Sequence, residues 1–353
     1  MNENKKVTVA MSGGIDSAVA ALLAVKQGYD TCGATLKLCP KSPCSTDNAD
    51  KDIEDAASIC AHIGIPYSVY DLREKFKDTV IQDFIDRYME GATPNPCVVC
   101  NKHLKFGALL DIALENGSDY IATGHYAKIE QREDGRFLLK KAADPKKDQT
   151  YMLWTLSQHQ LSHTLFPLGE LTKDEIRQIG EENGFVNAHK SDSQDICFVP
   201  DGDYASFIEK QIGYKYPSGN YIDENGNVLG AHKGMIHYTV GQRKGLGISM
   251  GRHIFVTQKN AADNTVMLAD EDRLFISKVI IRNINLIPFD TLENSMRVEA
   301  KIRYSQSVSA ATATQTGDDE ITLVFDQPQR APARGQSAVM YCGDTVIGGG
   351  IIQ

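Results

Sequence analysis

The sequence contains no apolar run long enough to cross a bilayer. Its most apolar helical stretch, residues 18–25, falls far short of the roughly 20 residues that a membrane span needs. The first six residues are short and polar, without the apolar segment of a secretory leader, so the chain reads as cytoplasmic with no membrane partner. Positive charge is scarce as well. With 37 Lys and Arg against 46 Asp and Glu, the net charge of -9 excludes uniform attraction to a polyanion and leaves only local patches to hold one. Internal repeats and low-complexity tracts are absent, which excludes a repeat array.

What is present fits a soluble globular protein. The 353 residues are 42% hydrophobic and 24% charged, and exceed what one core usually serves, so two or three domains are expected. Eight cysteines in a chain read as cytoplasmic do not make a disulfide framework, because that compartment keeps thiols reduced. They are buried fillers, metal ligands or reactive groups. Basic residues are segregated. Residues 231–260 hold Lys233, Arg243, Lys244, Arg252 and Lys259 and, up to Asn260, no acid at all; residues 136–147 hold five basic side chains against Asp144. Such stretches suit a phosphate backbone despite the acidic total.

Strand and helix patterns alternate through the first half. Residues 5–11 read as a buried strand and 18–27 as a helix ended by Gly28. A strand over 29–38, an amphipathic helix over 53–62, a strand over 67–72 and a long helix over 73–90 follow. A helix over 105–115 leads through Gly117 into a strand over 119–123. This order predicts an α/β fold with a doubly wound parallel sheet. Residues 137–141 are assigned to the same unit, with helices near 157–165 and 172–183. Residues 213–251, rich in Gly and Tyr, predict a small linking domain. From 276 onward, VIIRNINLI, MRVEAKIRY, VSAATATQ, EITLVF and QSAVMYCGDTVIGGGII predict a C-terminal antiparallel β-barrel. The expected domains are 1–203, 204–275 and 276–353.

MSGGIDSAVAALLA, residues 11–24, lies between a strand and a helix. Gly13 and Gly14 let the backbone turn sharply and approach a ligand, while Ser12, Ser17 and the helix N-terminus offer donors to phosphate oxygens. The loop lacks both the Lys-Ser/Thr ending of a P-loop and the three-glycine spacing of a dinucleotide fingerprint. Asp16 would repel phosphate unless a cation such as Mg2+ stood between them. A tight turn capped by Ser or Asp is the plainer reading of the same residues.

The other singular stretch is TPNPCVVCNKHLKF, residues 93–106. Cys97 and Cys100 could complete a zinc site with Cys39 and Cys44, form a redox pair, or be inert packing. A helix beginning near Asn101 would place its positive end at Cys100, and Lys102, His103 and Lys105 add charge, so the Cys100 thiol is expected to be acidified. Cys197, among Asp192, Asp195 and Asp201, is expected to be a weak thiolate.

SGGIDS resembles the SGGxDS loop of ATP pyrophosphatases, which adenylate a substrate and release pyrophosphate. PNPCVVCNKHLKF, ATGHYAKI, KKDQTYML, DSQDICF, VGQRKGLGI, RYSQS and PQRAPARGQSAVMY occur in order over nearly the whole chain. Together they resemble the motifs of the bacterial tRNA-specific 2-thiouridylase family. The resemblance implies a tRNA-uridine 2-sulfurtransferase that binds ATP in its first domain, grips tRNA partly with its barrel, adenylates O2 of the wobble uridine and replaces it with sulfur. Carried over, Ala10, Met11, Ser12, Gly13, Gly14, Ile15, Asp16, Ser17, Leu36 and Gly124 would contact ATP. Asn95, Pro96 and Cys97 would line the pocket of the extruded base. Cys197 would carry a persulfide, and Cys100 would release its sulfur, leaving a Cys100–Cys197 disulfide for a cellular reductant. His125, Lys147, Asp148, Gln149, Arg303, Tyr304 and Gln336 would contact tRNA of the Lys, Glu or Gln type. A cysteine desulfurase or relay protein would supply the sulfur. The chain departs from the family at Cys97, where many members carry Asp, and at Arg334, where Pro is commoner. Cys97, Cys100 and Cys197 could instead hold three corners of a [4Fe-4S] cluster. Two other functions compete: an amide-forming ATP pyrophosphatase, for which no glutaminase segment is recognisable, and a zinc-stabilised RNA-binding module, which leaves SGGIDS unexplained.

Overall fold

The computed structural model describes residues 5–38, 48–185 and 196–353. Cys39, Cys44, Asp192 and Asp195 lie outside that set, so the four-thiolate zinc reading and the acidic setting of Cys197 do too. The chain divides into two compact units, the first made of Met1–Val80, Cys97–Pro200 and Asp344–Val346, the second of Ile81–Pro96, Asp201–Gly343 and Ile347–Gln353.

The first unit is built on a five-stranded sheet of order β3-β2-β1-β4-β7, parallel throughout. Its elements begin with β1 (Lys6–Ala10), α1 (Ile15–Lys26), β2 (Asp30–Lys37), α2 (Asn48–Ile63) and β3 (Tyr67–Asp71). α1 forms because IDSAVAALLAVK is rich in Ala and Leu, and it ends where Gly28 adopts φ +85, a conformation glycine reaches without a Cβ clash. The sheet carries Val7, Val9 and Ala122 against Ala18, Val19 and Ala21 of α1, all fully buried. Each buried Val or Leu of such a core stabilises by about 1.5–3 kcal/mol.

The long helix expected over 73–90 is α3 (Arg73–Phe76) continuing through a π-helical stretch, Lys77–Ile81, into α4 (Gln82–Met89). The cysteine pair lies within a helix rather than ahead of one. α5 (Pro96–Cys100) runs on through a π-helical stretch, Asn101–Ala108, into α6 (Leu109–Glu115). Proline at the first helical position explains the early start, since its fixed φ suits a helix and its missing N–H costs nothing there. β4 (Tyr120–Ala122) then re-enters the sheet.

β5 (Lys128–Gln131) and β6 (Phe137–Lys140) belong to the first unit but not to its parallel sheet. They form an antiparallel hairpin closed at Gly135 (φ +88), and Lys140 pairs with Thr345. A short turn can only return a strand antiparallel, so this pair had no route into a parallel sheet. α7 (Gln158–Ser162), β7 (Thr164–Leu165) and α8 (Lys173–Glu182) complete the unit.

The second unit holds α4 together with α9 (Tyr204–Ile212) and a four-stranded sheet of order β10-β11-β8-β9. Those strands are β8 (Gly219–Ile222), β9 (Val228–His232), β10 (Phe255–Asn260) and β11 (Thr265–Ala269). Six further strands close a barrel: β12 (Phe275–Leu286), β13 (Met296–Lys301), β14 (Ser309–Gly317), β15 (Glu320–Arg330), β16 (Ser337–Cys342) and β17 (Thr345–Ile352). Their order is β12-β15-β14-β13-β16-β17, with β17 pairing back onto β12 through Ile281↔Ile352, so the barrel has no free edge. Alternation fills it: Val279 and Ile281, Val298 and Ala300, Ala311 and Ala313, and Ile321 and Leu323 all point inward. Among the described residues no helix is long and apolar enough to cross a membrane.

Candidate functional site

In the first unit the connections after β1 and β4 leave the sheet on either side of the point where strand order reverses. Open parallel sheets bind ligands at that crevice. Met11–Gly14 leaves β1 there. Met11 N–H donates to Ala34 O at 2.8 Å, Ser17 Oγ donates to Gly14 O at 2.9 Å, and Ser12 N–H donates to Ser17 Oγ at 3.2 Å. Gly13 adopts φ +73, and a Cβ on it would stand 2.6 Å from Asp52 O. Gly14 precedes α1 with extended backbone and provides no side-chain cap, so the helix N-terminus is left facing the crevice as a phosphate site requires. Leu36 sits at the carboxyl end of β2 in the same sheet.

Gly124, expected to touch ATP, shows a steric reason for being glycine. A Cβ there would lie 2.8 Å from the carbonyl carbon of Asp16 and 2.9 Å from Ser17 N. Gly124→Ala is therefore expected to push the β4 loop off the first turn of α1 and weaken ATP binding by about tenfold or more. Titration calorimetry checks this; unchanged affinity would show that the two loops move independently.

The cation needed beside Asp16 is supplied by the chain itself. Lys173 Nζ donates to both Asp16 oxygens, at 2.8 and 3.0 Å, and Tyr126 OH donates to Asp16 Oδ1 at 2.8 Å. Lys173 is 5% exposed, at the first position of α8, which opens on a capping box between Thr172 and Glu175. Asp16 is thus already engaged by groups of the chain itself.

The same network absorbs residues expected to meet tRNA. Gln149 grips the main chain of Tyr126 twice, accepting from its N–H at 2.9 Å and donating its own N–H to its carbonyl at 2.9 Å. Asp148 accepts from Ala142 N–H at 3.1 Å and from Thr150 Oγ1 at 2.7 Å. Both stiffen the segment that carries Lys147 and set the Tyr126 hydroxyl against Asp16. His125 is half-buried beside Phe106 and Phe166, with Nδ1 2.8 Å from Thr123 Oγ1. Burial, with Lys105 adding to it, drives its pKa well below the usual imidazole range, so the ring is neutral.

The thiols present a different picture from the one expected. Cys100 is buried, and burial pushes its thiol up to about 11; Lys105 pulls the other way, while Cys197 and Cys97 add to the rise. The expected acidification fails because Cys100 is buried, and because the helix starts at Pro96, five residues before the expected Asn101, so its positive end is not at Cys100. Cys97 is exposed, yet partial burial by its surroundings raises its pKa too, again opposed by Lys105 and reinforced by Cys197. Cys197 is exposed on a turn anchored by buried Val199 and by Phe198, which packs edge-on against Phe76. The structure thus brings Cys97, Cys100 and Cys197 within electrostatic reach of one another, with Lys105 beside the first two. Among the described residues, however, no set of three His, Cys, Asp or Glu side chains converges as metal ligands do.

In the second unit Arg303 donates through Nη2 to Val240 O at 3.2 Å and Ala331 O at 2.6 Å, holding the VGQRKG loop to the barrel. Tyr304 is 41% exposed and carries Lys301 Nζ 5.2 Å from its ring centroid, a flat face with a charge at hand. Gln336 donates to Thr93 O at 2.8 Å and Pro94 O at 3.4 Å, and so bears on the turn that carries Asn95 and Pro96. Lys173 and Tyr126 were missed from sequence. Tyr126 stood in the ATGHYAKI motif, and Thr172–Glu175 carried the capping-box spacing, but neither signal says that the two side chains meet at Asp16.

A glycine-framed phosphate loop at the switch point of a parallel sheet defines a nucleotide-binding α/β domain, here followed by two β domains. Residues 5–201 match the family described as tRNA methyl transferase HUP domain, 205–270 the tRNA methyl transferase PRC-barrel domain, and 276–352 the aminomethyltransferase beta-barrel domain. The tRNA-specific 2-thiouridylase MnmA of Clostridioides difficile is 50% identical, over 99% of this chain and 98% of that one. The protein of the same name from Clostridium acetobutylicum is 46% identical, over 99% and 100%. The chain belongs to the tRNA-specific 2-thiouridylase family. Among solved structures, the U34-tRNA thiolase NcsA of Methanococcus maripaludis with its [4Fe-4S] cluster is 21% identical, with a TM-score of 0.36 over 59% of this chain and 67% of that one, a likeness too slight to carry an argument.

Proposed function

We propose that this chain catalyses ATP-dependent 2-thiolation of tRNA uridine, acting on the wobble position of tRNAs of the Lys, Glu and Gln type. The observation that carries the reading is that one compact unit holds both a phosphate loop and three mutually interacting thiols. An amide-forming ATP pyrophosphatase needs the loop but not the thiols. Methyl transfer, which the matched domain descriptions mention, needs neither.

In this reading ATP lies over Met11–Ser17, with Gly124 and Leu36 beside it. Uridine O2 attacks the α-phosphorus, and pyrophosphate leaves with the electron pair of the broken P–O bond. Asn95, Pro96 and Cys97 hold the extruded base, Tyr304 offers a stacking face, and Lys147 with the exposed Arg243 and Lys244 meets the phosphate backbone. A cysteine desulfurase or relay protein loads Cys197 as a persulfide. The Cys100 thiolate attacks Cys197 Sγ, a Cys100–Cys197 bond forms, and hydrosulfide leaves with the electron pair of the broken S–S bond. It adds to C2 of the adenylated base, and AMP departs with the former O2. A dithiol reductant then restores both cysteines.

The test is nucleoside mass spectrometry of tRNA incubated with the chain, ATP and a persulfide donor, alongside AMP and pyrophosphate assays. Thiolated uridine with matching AMP is expected; ADP, or AMP without tRNA, would overturn the reading. The raised Cys100 pKa sets a pH dependence. Below about 11 the thiolate fraction grows about tenfold for each pH unit, so single-turnover sulfur release should climb on that slope as pH rises. Lys105→Met, by removing the charge that lowers the pKa, should slow release further at every pH below that value. A flat profile would mean Cys100 does not act as a thiolate.

A further inference from the structure

The Ala92–Pro94 segment, which leads into the residues assigned to the target base, has every main-chain polar group committed within the second unit. Ala92 N–H donates to Arg87 O at 2.9 Å, and Thr93 N–H donates to Arg334 O at 2.7 Å. Lys259 Nζ donates to Ala92 O at 3.4 Å, and Gln336 Nε2 donates to Thr93 O at 2.8 Å and Pro94 O at 3.4 Å. The donors and acceptors come from three places: the end of α4, strand β10 and the turn before β16. Gly335 lets that turn seat closely, because at φ +90 a Cβ would stand 2.8 Å from Ala92 Cβ. Lys259 is the one charged member. Its Nζ lies 5.5 Å from the centroid of the Tyr88 ring, and Gly91 packs beside its stem, where an added Cβ would come within 3.5 Å of Lys259 Cβ. Burial lowers its pKa to about 8, so it is mostly charged at neutral pH.

We infer that Lys259 is a positioning residue for the target base: clasped between the Tyr88 ring and Ala92 O, it fixes the turn that presents Asn95 and Pro96. No chemistry passes through it. Its ammonium spends its charge on one aromatic face and one carbonyl, so a surface role in binding phosphate does not describe it. The inference rests on the reading of Asn95–Pro96 as the base-binding turn. It assigns a catalytic consequence to a domain otherwise counted as tRNA-gripping.

Lys259→Met keeps the apolar stem and removes the donor. The probe is a tRNA with 2-aminopurine at the target position, whose fluorescence rises when the base leaves the stack. With this variant tRNA and ATP affinities are expected to stay within about twofold, the fluorescence rise to be lost, and kcat to fall by about tenfold or more, as small misplacements near a reacting group do. Lys259→Arg, which keeps a cationic donor, should recover much of the fluorescence rise. A normal fluorescence rise and kcat in Lys259→Met overturn the inference. So does a loss confined to tRNA affinity with the signal per bound complex intact. If Lys259→Met does not fold, Gln336→Met, which removes the neighbouring donor to the same turn, is read by the same signals. Asn95→Ala separates the two claims: if it keeps the full signal, the base-turn reading itself is wrong, whereas loss in Asn95→Ala with retention in Lys259→Met defeats only the role of Lys259.

Discussion

Lys173→Met is expected to abolish tRNA-dependent pyrophosphate release, with a loss of about a hundredfold or more, while tRNA binding survives. Two effects add. Without the ammonium, Asp16 presents an uncompensated negative charge at the mouth of a loop that must receive a triphosphate. At an effective dielectric near 20, unit charges about 4 Å apart repel by roughly 4 kcal/mol, enough to decide whether ATP seats. The second effect falls on the fold, since Lys173 is almost wholly buried and Asp16 partly so, and breaking such a pair by removing one partner costs up to about 3–5 kcal/mol. A double mutant tests the charge argument. Asp16→Asn with Lys173→Met removes both charges, so stability and pyrophosphate release should both largely return. Stability without catalysis would mean that the phosphates need Lys173 itself rather than a neutralised Asp16.

The second large effect concerns sulfur. Cys197→Ser should form no thiolated uridine, yet still convert ATP to pyrophosphate with bound tRNA, because adenylation precedes sulfur entry. Cys100→Ser should also form none, but with a difference that mass spectrometry can see: loaded with sulfur, it should retain the persulfide on Cys197, since the thiol that cleaves it is gone. Cys97→Ser, by contrast, should keep measurable turnover, with a raised KM for tRNA if Cys97 only lines the base pocket. Full activity of Cys100→Ser would assign release to another thiol, and loss of all sulfur chemistry in Cys97→Ser would give Cys97 a role in transfer.

The parallel sheet, the barrel and the phosphate loop were legible because each rests on local signals: alternating patterns, glycine at turns, and a loop whose residue types suit one ligand. That the hairpin β5–β6 stands apart from the parallel sheet was not legible, because its partner, Thr345, stands over two hundred residues away, and only long-range pairing reveals it. Cys100 was misread for a smaller reason. Pro96 started the helix early, and that moved the positive end and exchanged expected acidification for burial. Lys173 and Tyr126 could not be found by spacing at all, since their meeting at Asp16 is made by the fold. The motif residues Asp148, Gln149 and Arg303 make hydrogen bonds to the protein's own main chain, which their motifs did not announce. Sequence marks that a residue is constrained more readily than it says by what.

The central claim is that uridine O2 itself takes the adenylyl group. The direct measurement uses tRNA whose target uridine carries heavy-isotope oxygen at O2, with mass spectrometry of the AMP released in a single turnover. Heavy oxygen in the AMP phosphate, matched to thiolated uridine, is the predicted result. Heavy oxygen retained in the tRNA or lost to water, with unlabelled AMP, would contradict the account.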